Sequence, residues 1–188
     1  ADGCVAARGT SYDGFEAACR ANGIGTDAVI DASGKIMTPG YVDIHSHGAW
    51  EKSFDDGPDG IDVARAGHAM HGTTRQVCSL ITNPIDVQCE NLRNVRAKMD
   101  QRPDILGAHL EGPFLALSRK GAHDPECLKD PVPEIVDRML EAADGCLRQI
   151  TIAPELPHGL QAIRSFATAG TVPAVGPCDA DPHTAPRA

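Results

Sequence analysis

His45 and His47 stand two residues apart in Gly-Tyr-Val-Asp-Ile-His-Ser-His-Gly, residues 40–48. The apolar residues before them read as a strand. Strand side chains alternate faces, so both imidazoles point the same way, as joint ligation of a metal requires. Taken alone, the pair also fits two ordinary histidines near a strand end. Glu111 adds a third group: it follows the apolar run from Ile105 to Leu110 and precedes Gly112 and Pro113, which turn the chain sharply after the carboxylate. A solvated loop acid is the alternative for Glu111 by itself. Two imidazoles and a carboxylate form a set suited to zinc or another divalent ion, with a position left for water.

The remaining histidines divide by context. His109 lies two residues before Glu111 and shares its face, which suits a donor to a ligand or a packed ring better than a ligand. His68 and His71 fall toward a helix end before Gly72, where a cation meets the dipole favourably, a structural placement. His158 opens a helix at the surface. Residues 118–125, Ser-Arg-Lys-Gly-Ala-His-Asp-Pro, bring two permanent cations and an imidazole close to the metal candidates. That suits an anionic ligand, or simply a solvated charged loop.

These groups need a scaffold, and the hydrophobic pattern supplies one. Strands are expected at Tyr41–His45, Gln76–Ile81, Ile105–Leu110, Leu147–Ala153 and Thr171–Gly176. Between them, helical spacing runs over Ile61–His71, Ile85–Met99, Pro133–Ala143 and His158–Ala169. Alternating strands and helices imply parallel pairing with right-handed crossovers, an α/β fold. A doubly wound dinucleotide sheet would carry GxGxxG after its first strand, where His-Ser-His-Gly-Ala-Trp stands instead. The pattern fits an incomplete (β/α)8 TIM-type barrel of about five strands, since a whole barrel takes about 250 residues. Functional groups then gather at the C-terminal strand ends, which carry His45 and His47, Glu111, Glu155, and Cys178 with Asp179. Residues 1–39 read as a partial β subdomain with a small hairpin, Ala28–Asp31 and Lys35–Met37. Residues 40–180 read as the partial barrel and 181–188 as an irregular tail.

The chain has 188 residues, 41% of them apolar, and a formal net charge of -9. That acidity argues against nucleic acid and anionic membrane as partners. Seven cysteines form no CxxC pair, and their odd number suits free thiols in a reducing compartment. With no apolar run of membrane-spanning length and no signal-peptide pattern, the cytoplasm is the expected location.

Together, Pro-Gly-Tyr-Val-Asp-Ile-His-Ser-His-Gly (39–48), His-Gly-Thr-Thr (71–74), His-Leu-Glu-Gly-Pro-Phe (109–114), Lys-Gly-Ala-His (120–123) and Ala-Pro-Glu (153–155) resemble one family. It is the N-acetylglucosamine-6-phosphate deacetylases of the amidohydrolase superfamily, whose N-terminal portion the chain resembles over about residues 28–180. The resemblance implies hydrolysis of N-acetyl-D-glucosamine 6-phosphate to D-glucosamine 6-phosphate and acetate, in amino-sugar catabolism. It implies a divalent cofactor, zinc foremost, with iron or another ion as alternatives. It also implies Glu111 as core metal ligand, His45 and His47 as a further metal site, and Ala122 and His123 as contacts to the amino sugar. Full-length members are expected to form homo-oligomers.

One departure is sharp. Pro177 stands where the resemblance calls for a metal-binding histidine, with Cys178 beside it and His183 in the tail as substitute candidates. The family's next metal histidine and its catalytic aspartate correspond to positions beyond residue 188. Little or no turnover is therefore expected of this chain alone. Two alternatives stand beside the deacetylase: a dihydroorotase-like or deaminase-like amidohydrolase, and a non-catalytic truncated fragment that binds metal or partners.

Overall fold

A computed structural model describes residues 11–25 and 30–180 of the chain. They fall in two compact units, Ala1–Pro39 and Gly40–Ala188.

In the first unit, α1 (Tyr12–Ala21) starts at Ser11, whose hydroxyl accepts from the Gly14 amide at 3.2 Å. Asp13 in the first turn and Arg20 in the last complement the helix dipole. Phe15, Ala18 and Cys19 repeat at helical spacing, a stripe short enough to be lost among glycines and alanines. The hairpin expected nearby does not form among the described residues. Its first arm lies partly outside them, while Lys35–Met37 belongs to no strand and leaves Ile36 and Met37 exposed. The Ala-Ser-Gly turn itself is present: Asp31 accepts from the Ser33 amide at 2.9 Å and the Ala32 carbonyl from the Lys35 amide at 2.9 Å. An isolated two-stranded ribbon is marginal in water, and among the described residues only the turn is present. The described part of the unit is thus helix and turn rather than β.

The second unit contains β1 (Tyr41–Asp43), β2 (Gly48–Ala49), β3 (Lys52–Ser53), α2 (Gly57–Met70), β4 (Thr73–Ile81) and α3 (Ile85–Gln101). These lead into β5 (Ile105–Glu111), α4 (Pro133–Ala143), β6 (Leu147–Ile152), α5 (Gly159–Thr168) and β7 (Val172–Val175). Five strands form one parallel sheet in the order β1-β4-β5-β6-β7. Their order follows the chain without reversal. A doubly wound sheet reverses at a switch point, so this sequence of strands is that of an incomplete (β/α)8 barrel, as expected. Pro133 sits in the first turn of α4, where its missing N–H costs nothing.

Alternation along the strands separates two faces. Cys78 and Leu80, Ala108 and Leu110, and Ile150 and Ile152 join the core with Leu92, Val95, Val136, Met139, Ile163 and Phe166 from the helices. Ser79, His109, Glu111 and Thr151 occupy the intervening positions and so face the barrel interior. The apolar face holds the helices in place, and the polar face carries Glu111 and His109 among the candidate residues.

Two details depart from expectation. Strand β1 ends at Asp43, whose carboxylate accepts from the His45 amide at 3.0 Å and bends the chain there. The next residues form a small antiparallel ribbon, Ala49 opposite Lys52, with positive φ at Trp50 (53°) and Glu51 (61°). Two positive φ values match a type I′ hairpin. Gly67 of α2 lets the ribbon lie close, since a Cβ there would stand 2.7 Å from that of Ala49.

Candidate metal centre

The bend after β1 delivers both histidines to one point. His45 Nε2 and His47 Nε2 lie 3.3 Å apart, and Glu111 Oε2 lies 3.6 Å from the first and 2.9 Å from the second. The two imidazoles converge from a bend rather than from a continued strand, so alternation along β1 is not what aligns them. Glu111 arrives as the last residue of β5, and Gly112 behind it has φ +86°.

The donor set fits a divalent ion. Tetrahedral ligands about 2.0–2.1 Å from zinc stand roughly 3.3–3.4 Å from one another. The three observed separations bracket that value. Among the described residues, His45, His47 and Glu111 are the group whose donor atoms converge in this way. Cys178 is not part of it, and Pro177 offers only its carbonyl, which accepts from the Ala116 amide at 3.2 Å. His183 lies outside the described residues.

His109 beneath the cluster is fully buried, with Ser79 Oγ 2.9 Å from Nδ1 and Thr151 Oγ1 2.8 Å from Nε2. Both ring nitrogens are therefore engaged by hydroxyls and neither is free to ligate. Burial, helped by the neighbouring His45, pushes its pKa down to about 4, against the pull of Glu111. A neutral ring donates to one hydroxyl and accepts from the other. His45 packs edge-on against it, with ring centroids 4.7 Å apart.

His68 braces the histidine loop from α2. Its Nε2 lies 3.1 Å from the Gly48 carbonyl, which can only accept, and its Nδ1 lies 3.6 Å from the Asp43 carboxylate. His71 caps the same helix, and His158, in left-handed conformation, precedes α5 on the surface.

The charged loop returns to the site. His47, Ile81, Glu111, Ala122 and His123 line one pocket of about 340 Å³. His123 Nε2 lies 3.9 Å from Glu111 Oε2, and burial lowers the His123 pKa against the opposing pull of Glu111. The loop's cations are occupied in folding it. Lys120 Nζ donates to the Gly121 and His123 carbonyls at 3.3 and 3.2 Å, while Ser118 and Arg119 both bind the Asp179 carboxylate. The Asp179 amide in turn donates to Glu155 at 2.6 Å, which ties the ends of β6 and β7 to the loop. A wider groove of about 460 Å³ between α4 and α5, lined by Asp137, Gln161 and Arg164 among others, lies on the helix side and holds none of these groups.

The sequence reading missed Asp55. It accepts from Ser53 Oγ, the Ile81 amide, Asn83 Nδ2 and Asn91 Nδ2. Nothing in Ser-Phe-Asp-Asp marks it, because its donors lie 26 to 36 residues away in all cases but Ser53.

Known proteins share this arrangement of sequence and fold. The chain is 31% identical over 158 residues to an N-acetylglucosamine-6-phosphate deacetylase of Lysinibacillus sphaericus, a match covering 80% of this chain and 40% of that protein. It is 29% identical over 141 residues to an N-acetylgalactosamine-6-phosphate deacetylase of Escherichia coli O157:H7, covering 73% and 37%. The crystal structure of N-acetyl-D-glucosamine-6-phosphate deacetylase from Mycobacterium smegmatis superposes with a TM-score of 0.71 at 39% identity, over 76% of this chain and 38% of that one. No protein-family profile matches. The chain thus spans about two fifths of the length of the relatives it matches.

Proposed function

We propose, for a chain akin in sequence and fold to the N-acetylglucosamine-6-phosphate deacetylases, that it supplies one wall of the metal site of such an enzyme. The observation that carries this reading is the convergence of His45, His47 and Glu111 on one point, with Ala122 and His123 lining the same pocket. His45, His47 and Glu111 hold a divalent ion. Zinc is the ion whose preference for imidazole and carboxylate donors matches the set best, with iron as the alternative. Held there, such an ion would supply Lewis acidity toward an amide carbonyl and toward a water molecule near neutral pH.

The chain's own residues do the rest of what is proposed here. Glu111 balances the charge of the ion. His109, neutral and held by two hydroxyls, packs under His45 and fixes its ring. His123 and Ala122 meet the amino sugar of an N-acetyl-amino-sugar 6-phosphate, and Ile81 keeps an apolar wall beside the acetyl group. No helix of the described residues is long and apolar enough to cross a membrane, and their cysteines are free thiols, in keeping with a cytoplasmic site of action.

Three converging donors make a metal site, but among the described residues the reading assigns no group to proton transfer to the leaving amine. The 188-residue chain alone is therefore expected to bind zinc and to turn over little or no substrate. Metal content after dialysis and acetate release are the measurements. About one equivalent of zinc in the wild type, falling at least tenfold in affinity in Glu111→Gln, is the expected result. Zinc-dependent acetate release by the chain alone would overturn the one-wall reading, and equal zinc binding by Glu111→Gln would overturn the ligand set. The similarity to an N-acetylgalactosamine-6-phosphate deacetylase keeps a second sugar in view, so both epimers belong in the assay.

A further inference from the structure

His47 has an unusual support. A metal-bound imidazole is normally oriented by an acceptor on its other ring nitrogen. His47 Nδ1 is buried with no hydrogen-bond partner among the described residues. Without that acceptor, the place from which the ring reaches Glu111 depends on how its backbone is held. The His47 carbonyl is held by the ribbon that follows it: the Phe54 amide donates to it at 3.1 Å, and Ser53 Oγ lies 3.1 Å away.

Beside the contacts of His68 with the Gly48 carbonyl and of Asp56 with the Ser53 amide, the ribbon is fastened by Asp55. One oxygen of Asp55 accepts from Ser53 Oγ at 3.1 Å and from the Ile81 amide at 3.2 Å. The other accepts from Asn83 Nδ2 at 3.3 Å and Asn91 Nδ2 at 3.0 Å. The partners belong to three places: the end of the ribbon, the C-terminal end of β4, and α3. Burial raises the Asp55 pKa, while the Ile81, Ser53 and Asn91 hydrogen bonds oppose the rise. Ile81, held by this carboxylate, also lines the pocket with His47 and Glu111.

We propose that Asp55 is a positioning residue of the metal wall: it clamps the β2–β3 ribbon to the end of β4 and to α3, and through the ribbon sets where the His47 ring meets Glu111. For its bearing on a metal the proposal rests on the ligand set given above. The clamp itself is independent of any metal.

The test compares wild type with Asp55→Ala and Ser53→Ala. Asparagine at 55 is unsuitable, because Asn83 and Asn91 can turn their amides to satisfy it. Hydrogen exchange is followed without metal on the segment 46–56, with α4 and β6 as internal references. Exchange at 46–56 is expected to quicken at least tenfold in Asp55→Ala and by a smaller factor in Ser53→Ala, the references remaining unchanged. A second arm titrates Co²⁺ and reads its visible absorption. Affinity is expected to fall at least tenfold in Asp55→Ala, with a changed band shape, the size seen when residues supporting metal ligands are lost.

If Asp55→Ala does not fold, Ser53→Ala decides, since it removes the hydroxyl's contacts with Asp55 and the His47 carbonyl and leaves the carboxylate and the Phe54 amide in place. Unchanged exchange at 46–56, or an increase spread evenly over the chain, overturns the clamp. A wild type that binds no Co²⁺ rejects the ligand set, and the clamp is then judged by exchange alone.

Discussion

His109 shows how a single residue acquires its role from partners the chain brings together late. Its hydroxyl partners come from positions 30 residues before it and 42 after it, on the flanking strands β4 and β6. From sequence a packed ring or a donor to a ligand was favoured over a ligand, with all three open. The register of three strands puts Ser79 on one side of the ring and Thr151 on the other, and so excludes it from ligation. The candidate ligands were more legible: His45, His47 and Glu111 are residue types that ligate metals, the structure brings their donor atoms together, and Ala122 and His123 line the same pocket. Asp55 was not, because a carboxylate gains meaning only from donors, and its donors are remote. Thr151→Val tests the hydroxyl sandwich. The substitution keeps volume but leaves a buried imidazole nitrogen without a partner, so unfolding in urea should show a loss of about 1–3 kcal/mol. A change within about 0.3 kcal/mol would mean that the hydroxyl contributes nothing to holding the ring.

At the scale of elements, the turn behind Glu111 is tightly constrained. Gly112 has φ +86°, and a Cβ there would fall 2.2 Å from Thr82 Oγ1, whose hydroxyl donates to the Glu111 carbonyl at 3.1 Å. Gly112→Ala would have to strain the backbone and displace Thr82 together. It is expected to cost about 2–3 kcal/mol in urea unfolding, and to weaken zinc binding by moving the carboxylate. Retention of both stability and zinc affinity would show that the turn tolerates a side chain. The parallel strands were legible because each is a run of apolar residues between helices of clear period. Strand β4 begins three residues earlier than the apolar signal, at Thr73, since Thr73 and Arg75 pair with β1 without being apolar. The β2–β3 ribbon was not legible: its strands are two residues long, and its turn uses Trp50 and Glu51 where glycine or asparagine would signal a positive φ. The converse error fell at 28–37, where turn residues suggested a hairpin that lacks a ladder in the described residues.

In the molecule as a whole, the two ends of the barrel strands divide the labour. The candidate site residues gather at the C-terminal ends, and beneath them Asp104, just before β5, joins a cluster of charges from α2 and α3. Arg65 is buried, and its Nε lies 2.7 Å from Asp104 Oδ2 but off the hydrogen-bonding axis, so the pair is held by charge. Arg102 binds Asp104 and Asp62, and Lys98 binds Asp62 as well. Burial works against ionisation of Asp62 and Asp104, yet these cations hold both carboxyls below the ordinary range. The sign of the pH dependence follows. A depressed carboxylate contributes its stability in full above the unfolded pKa of about 3.9 and loses it as pH falls through the lower folded value. From these two groups, the urea midpoint should be flat from pH 7 to about 5 and should drop steeply below about 4. Asp104→Asn leaves the buried Arg65 cation without its counter-charge, and is expected to cost about 3 kcal/mol at pH 7. Asp62→Asn, at a half-exposed site, should cost under about 1 kcal/mol. Both variants should approach the wild type as the pH falls toward 3, because protonation then removes the same charge from the parent. A constant gap between Asp104→Asn and wild type across the whole range would show that the loss comes from packing rather than from the ion pairs.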